Sequence, residues 1–391
     1  MKNFIFCLLI LSTTHILTAQ IVDIPDPNFK QGLLDHVPEI DTNNDGEIQV
    51  TEALATAQLI LTHKEISDMT GIEEFVNLLD LFIYSNPISS IDVTHNINLR
   101  QFGLGYTEIA ELDVSQNTNL YTLKFYNTLI SEIDLSHNPN LEFLNVGGSS
   151  LTELDISNNL NLIILNIFDT NISSLNFSAN TNLQSLNFLR TGILEADYSV
   201  LPNLKKLAVG SNNILSLDVS QNSQLCSLFI QDGPILEFVN VKNGNNELLL
   251  PNGPCSFDLT YGGAASSSGI LANTGNPSLQ YICVDDVQFA EENFIWIPPQ
   301  TEFIDNCNLS TQSNQLSVLK YYPNPVKDYL HISFDSPIIS VQVYSVLGEE
   351  LSSILVGSEE ASVALKDLVT GNYFVSVTSN NGKEVFQVVK E

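Results

Sequence analysis

A column of leucines that returns every 21 residues constrains the fold of this chain more than any other feature. Apolar residues also recur three and five positions after each of these leucines, beginning at Leu81 and Ile83. The leucines of the first column are Leu78, Leu99, Leu120, Leu141, Leu162, Leu183, Leu204 and Leu225. A unit of this length has apolar residues on one side only, so it is stable only when neighbouring units cover that side. The period therefore predicts a mostly β fold, a parallel-β solenoid with stacked leucine and isoleucine columns as its core.

Two polar columns share this period, and both are predicted to serve the turns of the solenoid. The first is interrupted by Leu201 and consists of Asn96, Asn117, Asn138, Asn159, Asn180 and Asn222. Its amides can satisfy backbone groups that stacking would otherwise leave without partners. The second consists of Asp92, Asp113, Asp134, Asp155, Asn176, Asp197 and Asp218, with like charges about 5 Å apart. We expect these carboxylates to accept hydrogen bonds from backbone N–H groups two or three residues on; a row of bound cations is the alternative.

These columns resemble the 21-residue leucine-rich repeats of bacterial surface proteins of the internalin type. The resemblance covers roughly residues 60–307, with eight repeats in residues 77–244 and an irregular repeat and C-terminal cap in residues 245–307. It implies a curved solenoid without long helices, which binds another macromolecule rather than catalysing a reaction.

The chain is strongly acidic, with 45 Asp and Glu residues against 14 Lys and Arg and a formal charge of −31. This charge disfavours nucleic acid as a partner, whereas a hydrophobic content of 43% excludes a disordered acidic tail. Residues 1–19 combine a short basic start with an apolar run that ends in Ala19, which predicts a cleaved signal peptide. No second apolar stretch is long enough to span a bilayer, so we expect no transmembrane segment in the mature chain.

Four cysteines remain after removal of the signal peptide: Cys226, Cys255, Cys283 and Cys307. An even number in an exported chain suggests disulfides, for which three pairings are possible. We favour Cys283 with Cys307, because both lie in the closing cap. Cys226 with Cys255 then follows by elimination, and buried thiols are the alternative.

An acidic loop at residues 41–52 lies within the predicted N-terminal cap, residues 20–76, between two short helical or apolar patterns. It matches the pattern of an EF-hand calcium loop at every fixed place. The predicted Ca²⁺ ligands are Asp41, Asn43, Asp45, Glu47 through its backbone carbonyl, Gln49 and Glu52. The loop resembles those of EF-hand or dockerin type, which implies a structural ion in the cap; an acidic surface turn without metal is the alternative.

The outward-pointing residues of the repeat strands are predicted to form a ligand-binding face. One column reads Tyr84, Gly105, Tyr126, Gly147 and Phe168, so that large rings alternate with glycines. Rings two units apart predict flat platforms about 10 Å apart, and exposed aromatic groups often mark interfaces. The predicted face comprises Phe82, Tyr84, Lys124, Tyr126, Phe143 and Phe168. Rings that merely cover the strand surface are the alternative.

The sequence contains no motif typical of an enzyme. A Gly-x-Ser-x-Gly elbow, a His-Glu-x-x-His pair and a phosphate-binding glycine loop are all missing. His95 and His137 occupy one column two units apart, about 10 Å, which is too far for a shared metal. We therefore predict that the protein is not an enzyme.

The C-terminal 72 residues, 320–391, lack the 21-residue period and follow a Ser-, Gln- and Asn-rich linker at residues 308–319. Short strand patterns separated by turns predict a small β-sandwich. The order Tyr322-Pro323-Asn324-Pro325, then residues 343–348, then residues 371–377 and a closing Lys390 resembles the C-terminal sorting domain of the type IX secretion system of Bacteroidota. This resemblance implies recognition by the type IX secretion machinery and a secreted or outer-membrane surface location.

Together these features predict an exported, non-catalytic protein that binds an extracellular protein or glycan through its repeat face, as in adhesion. The competing interpretation is a carbohydrate-binding or accessory component of a polysaccharide-degrading system.

Overall fold

The structure, a computed structural model, describes residues 20–194, 196–210, 214–250, 269–307, 319–345, 350–379 and 382–391. The chain divides into two units, Met1–Cys307 and Asn308–Glu391. The predicted signal peptide and residues 308–318 of the predicted linker lie outside the described residues.

In the first unit, successive 21-residue units, here called rungs, each add one short strand to a parallel sheet of ten strands. These strands are β1 (Gln58–Ile60), β2 (Asp80–Phe82), β3 (Gln101–Gly103), β4 (Thr122–Lys124), β5 (Phe143–Asn145), β6 (Ile164–Asn166), β7 (Ser185–Asn187), β8 (Lys206–Gly210), β10 (Ser227–Gln231) and β12 (Gly269–Thr274). Their order in the sheet is their order in the chain. The architecture is therefore a parallel-β solenoid, as the period predicts.

From β2 to β10 the pairing register of the strands equals the sequence period, whereas β1 and β12 pair with residues 22 and 42 positions away. Leu81 pairs with Phe102, and Leu123 pairs with Leu144, each 21 positions on. The predicted core columns are consequently buried, and every leucine from Leu78 to Leu225 in the first column is fully inaccessible to solvent. Stacked rungs thus share one continuous apolar core, which is the main source of their stability.

The asparagine column forms a hydrogen-bonded ladder inside the turns. Asn117 donates its side-chain amide hydrogens to the carbonyl oxygens of Val93 and Asn96, at 3.0 and 2.9 Å. Asn138, Asn159 and Asn180 repeat this pattern on the rungs that follow. These side chains are completely buried, so they satisfy backbone carbonyls that water cannot reach. The predicted structural role of this column is confirmed.

A second, smaller parallel sheet closes the C-terminal end of the solenoid. Its strands are β9 (Ser216–Asp218), β11 (Phe238–Asn240), β13 (Tyr281–Cys283) and β14 (Glu302–Ile304), and helix α3 (Val287–Asn293) precedes β14. A disulfide joins Cys283 to Cys307, with 5.4 Å between their Cα atoms, as predicted. Cys226 is also disulfide-bonded, whereas its predicted partner Cys255 lies outside the described residues.

The N-terminal cap is helical, with α1 (Pro27–Leu34) and α2 (Val50–Ala55) on either side of the acidic loop. Asp26 caps α1 by accepting hydrogen bonds from the N–H groups of Asn28 and Phe29, at 2.8 and 2.9 Å. Its other oxygen accepts from Ser67 and from the N–H of Asp68. Burial by itself would raise the pKa of Asp26, but these hydrogen bonds outweigh it and the pKa is lowered. One carboxylate therefore fastens the first helix to the loop that leads into the repeats.

The second unit is an antiparallel sheet of five strands. They are β15 (Lys320–Tyr322), β16 (Tyr329–Ser345), β17 (Glu350–Ala364), β18 (Gly371–Ser379) and β19 (Gly382–Lys390). Strand β16 is the longest of the five, and its pairing register with β17 shifts between Ser333 and Ile338. Leu330, Val341 and Val375 are buried in a core of their own.

Candidate functional site

Three residues of the predicted face, Phe82, Tyr84 and Tyr126, form a contiguous group of rings near the start of the ten-stranded sheet. The ring centroids of Phe82 and Tyr84 are 5.9 Å apart, with 18° between the ring planes. Those of Tyr84 and Tyr126 are 5.7 Å apart, with 27° between the planes. The prediction of platforms about 10 Å apart was therefore wrong for this pair, because the two rings lean towards each other across the rung between them.

Two glycines on the intervening rung make this approach possible. A Cβ atom at Gly105 would lie only 2.7–2.9 Å from three ring carbons of Tyr126, and one at Gly103 would overlap the hydroxyl end of Tyr84. Tyr84 leans forward and Tyr126 leans back, and each lays a ring face against bare backbone. Any larger residue at Gly103 or Gly105 would displace these rings from the sheet.

A fourth ring, Tyr106, belongs to the group but was missed in the sequence. Its centroid is 5.4 Å from that of Tyr126, with 89° between the planes, and 59% of its surface is exposed. Tyr106 has a positive φ of +58°. Its counterparts on other rungs also have positive φ values, between +51° and +69°: Ser85, Asn127, Gly148, Asp169, Arg190 and Asp232. This left-handed turn brings the residue after Gly105 back over the sheet. We call Phe82, Tyr84, Tyr106 and Tyr126 the aromatic patch.

Polar side chains lie beside the aromatic patch on the first three strands. Gln58, Asp80 and Gln101 are in register on β1, β2 and β3. Gln58 and Gln101 each donate a side-chain hydrogen bond to Asp80, at 3.2 and 3.1 Å. We call these three residues the polar row. It presents amide and carboxylate groups two positions before Phe82 on the same face of the sheet.

The tyrosine hydroxyls of the aromatic patch are hydrogen-bond donors at physiological pH. Burial, together with the neighbouring Tyr126, raises the pKa of Tyr84. Burial also raises the pKa of Tyr126, with a smaller contribution from Tyr106. Both phenols therefore stay neutral, and a ligand meets uncharged rings with hydroxyl groups at their edges.

Of the other residues of the predicted face, Lys124 lies on the rung of Tyr126, and Phe143 and Phe168 lie further along the sheet. The Lys124 ammonium is 4.6 Å from the ring centroid of Phe143, a cation–π arrangement, and burial lowers the pKa of Lys124. Phe143 itself is buried, with 1% of its surface exposed. Phe168 is half-buried against Gly147 on the preceding rung. The structure thus assembles three of the six predicted residues into one group. It places Lys124 on the same rung as Tyr126, and Phe143 and Phe168 on the two rungs that follow.

The acidic loop at residues 41–52 adopts a tight conformation built on its own side chains. Asp41 accepts hydrogen bonds from the N–H groups of Asp45 and Gly46, and Gly46 has a φ of +80°. Glu52 accepts from the N–H and hydroxyl of Thr42 and from the N–H of Gln49. Asp41 and Glu52 are buried, and within the described chain no Lys or Arg side chain forms an ion pair with either.

The oxygen donors of this loop suit Ca²⁺ chemically, but they are not gathered around one point. Over the residues that the structure describes, no group of three or more His, Cys, Asp or Glu side chains is close enough to hold a metal ion. The amide of Gln49 instead donates to Asp45 at 2.9 Å, and the amide of Asn43 donates to Asp45 at 3.0 Å. An ion in this loop would therefore replace these amide hydrogens as the partner of Asp45.

The aspartate column lines a surface groove of about 900 Å³ that includes Asp92, Asp113 and Asp134. Each carboxylate accepts a hydrogen bond from the N–H two residues on, at 2.8 or 2.9 Å for these three. Hydrogen bonds from the side chain and backbone of Thr94 lower the pKa of Asp92, and those of Ser136 do the same for Asp134. The repeated acids thus have the local partners that the sequence predicts.

The comparison with protein families identifies the C-terminal unit. Residues 320–391 match the family described as "Secretion system C-terminal sorting domain". The protein is therefore cargo of the type IX secretion machinery, with a secreted or outer-membrane surface location. None of the helices in the described parts of the chain is long and apolar enough to cross a membrane.

Several solved leucine-rich-repeat structures are similar to this chain in overall fold. The functional domain of InlJ from Listeria monocytogenes is 18% identical, with a TM-score of 0.34 over 95% of this chain and 98% of that one. The internalin InlF from Listeria monocytogenes is 17% identical, with a TM-score of 0.41 over 75% and 100% of the two chains. A leucine-rich-repeat protein from Leptospira interrogans is 16% identical, with a TM-score of 0.42 over 60% and 75%. No curated protein sequence matches the chain.

Proposed function

We propose that this chain is an exported, non-catalytic binding protein that docks another macromolecule on the outer face of its ten-stranded sheet. The observation that carries this proposal is the aromatic patch, in which rings from three successive rungs meet over two glycines. Grouped aromatic side chains contribute most of the binding energy at many interfaces, because they bury a large area at low entropic cost. The export domain supports an extracellular ligand.

The test compares a patch variant with a ring variant on the smaller sheet. Tyr84→Ala combined with Tyr126→Ala should abolish capture of extracellular cell-surface material by the immobilised protein, measured by surface plasmon resonance. Tyr281→Ala, which removes a half-buried ring on β13 of the smaller sheet, should leave capture unchanged. Equal capture by the wild type and the double variant would exclude this face as the docking site.

We also propose that the loop at residues 41–52 binds Ca²⁺ and thereby stabilises the N-terminal cap. Its buried carboxylates, Asp41 and Glu52, lack a cationic partner in the described chain, and a divalent cation would compensate their charge. We expect a dissociation constant on the order of 10⁻⁴ to 10⁻³ M, as in other extracellular modules. The ion would serve the stability of the cap and not the docking of a ligand.

Thermal unfolding in millimolar Ca²⁺ and in EGTA tests this second proposal. Ca²⁺ should raise the melting temperature of the wild type, and Glu52→Gln should remove most of that rise. Glu47→Gln is the matched control, because Glu47 would contribute only its backbone carbonyl. Identical wild-type melting curves in Ca²⁺ and EGTA would refute calcium binding.

A further inference from the structure

The aromatic patch and the polar row together combine two kinds of recognition on one flat surface. The rings of Tyr84 and Tyr126 lie with one face against β3, so their other faces point away from the sheet. Tyr106 stands edge-on beside them and is largely exposed. Gln58, Asp80 and Gln101 follow one edge of this surface. The rings of Tyr84 and Tyr126 therefore lie over the sheet, with the Tyr106 ring on one side of them and the polar row on another.

We infer that the aromatic patch and the polar row bind a neutral polysaccharide. This inference rests on the proposed docking role and adds the chemical class of the ligand. A pyranose ring has C–H groups on its flat faces and hydroxyl groups around its rim. The negative face of an aromatic ring attracts such C–H groups, while amides, carboxylates and phenols exchange hydrogen bonds with the hydroxyls.

The shape of the surface favours a sugar over a protein loop. Anchor residues at protein interfaces fill well-packed pockets from which water is excluded. The two large grooves on the described chain, which lie along the aspartate and glutamate columns, include no residue of the aromatic patch.

The backbone conformation at Tyr106 is an independent reason to infer that its ring contacts a ligand. A φ of +58° is uncommon for a bulky residue, whereas Asn, Asp and Gly adopt it more readily. Asn127, Gly148 and Asp169 occupy the same place on the next three rungs. A tyrosine is therefore not what the turn itself prefers, and its exposed ring adds little to the core. Contact with a ligand explains why a tyrosine stands there.

The charge of the protein restricts the polysaccharide to neutral types. With a formal charge of −31 and Asp80 at the centre of the polar row, an anionic polymer would meet electrostatic repulsion. Lys124 lies on the same rung as Tyr126, and its ammonium is over the Phe143 ring. Acidic polysaccharides such as alginate therefore serve as the negative comparison.

Affinity gel electrophoresis of the intact protein with embedded polysaccharides tests this inference. The gels contain a glucan, a xylan, a mannan or a galactan, and alginate for comparison. At least one neutral polymer should retard the wild type, and alginate should not. Tyr106→Asn should weaken that retardation about tenfold, although its melting temperature should equal or exceed that of the wild type because Asn suits the left-handed turn.

Tyr281→Ala, which changes a ring on the smaller sheet, is the control, and it should be retarded like the wild type. Retardation by no neutral polymer, or by alginate alone, would overturn the sugar assignment, as would unchanged retardation of Tyr106→Asn. The cell-surface material can also be treated with protease, which destroys protein, or with periodate, which oxidises sugars. If capture depends on the aromatic patch and is lost after protease but not after periodate, the sugar assignment is wrong and the proposed docking face is still supported. Capture by the Tyr84→Ala, Tyr126→Ala variant would overturn both.

Discussion

Asn138 shows what one residue of the repeat contributes to the solenoid. Both hydrogens of its side-chain amide are donated to backbone carbonyls, of Val114 and Asn117, at 3.0 Å each. Its side-chain oxygen, by contrast, is buried without a hydrogen-bond partner. The column therefore selects asparagine for its two donors, and a carboxylate of the same shape would supply none of them.

Asn138→Ala should lower the free energy of unfolding by roughly 2–4 kcal/mol, because two buried carbonyls lose their donors. Asn140→Ala is the matched control, since Asn140 also donates to a carbonyl of the preceding rung, that of Thr118, but is exposed. Water can replace that donor, so we expect a loss below about 1 kcal/mol. Urea unfolding followed by circular dichroism measures both; equal losses would contradict the role of burial.

Asp26→Asn should destabilise the N-terminal cap by about 1–3 kcal/mol at pH 7, because the carboxylate accepts hydrogen bonds from both α1 and the Ser67 loop. The pKa of Asp26 is lowered from its ordinary 3.8, so the stabilisation is complete above pH 3.8 and is lost as the pH falls through the folded-state pKa. The difference in melting temperature between wild type and variant should therefore shrink below pH 3.8. A difference that stays constant down to pH 2 would contradict this assignment.

At the scale of the elements, strands of only three residues are stable here because their register stacks the apolar columns of neighbouring rungs. The sequence predicted this register from β2 to β10 of the ten-stranded sheet, since apolar columns that repeat every 21 positions leave one pairing that buries all of them. It did not predict the pairings of β1 and β12, which lie 22 and 42 positions from their partners. Strand β17 was not predicted, because Gly357 and the acidic pair Glu359 and Glu360 interrupt its apolar alternation. The cap helices were expected only approximately, because their ends depend on caps such as Asp26.

The candidate site was predictable only in part, for a physical reason. Sequence spacing fixes the distance between backbones, but an aromatic side chain can reach across a rung when the residue there is glycine. The column pattern therefore identified Tyr84 and Tyr126, while the 5.7 Å between their rings depends on which way each ring leans. Tyr106 was missed because its left-handed backbone brings a different column onto the face. The available signal was an aromatic residue in a column that otherwise contains Ser85, Asn127, Gly148, Asp169, Arg190 and Asp232.

The disulfide between Cys283 and Cys307 should stabilise the end of the solenoid. Its cysteines are 24 positions apart, and closing a loop of that length in the unfolded chain corresponds to about 3 kcal/mol. Replacing both cysteines by serine should lower the first unfolding transition and raise hydrogen exchange in β13 and β14. Exchange in β3 to β5 should stay unchanged, because each rung contacts only its neighbours. Equal protection of β13 and β14 in both proteins would refute a role for this bond.

At the scale of the whole molecule, the sorting domain and the proposed binding surface belong to separate units. The sorting domain, residues 320–391, has its own core and its own sheet. The aromatic patch, the asparagine ladder and the acidic loop at residues 41–52 all lie in Met1–Cys307. A folded unit of this kind can be removed without exposing the core of the other.

Deleting residues 320–391 should leave the remainder folded but trapped in the periplasm of a bacterium with type IX machinery. Immunoblots of periplasmic, surface and medium fractions measure this, and circular dichroism of the truncated protein checks that it remains folded. Undiminished surface display or release of the truncated chain would contradict the sorting assignment.

The ladder of Asn117, Asn138, Asn159 and Asn180 joins each rung to the one before it through the same pair of contacts. Duplicating or excising one whole unit beyond β4 would regenerate those contacts at the new junction, because any two of these rungs are interchangeable neighbours. The aromatic patch, confined to the rungs of β2 to β4, would not change. Gain or loss of whole rungs can therefore change the length of the solenoid and leave the proposed binding surface as it is.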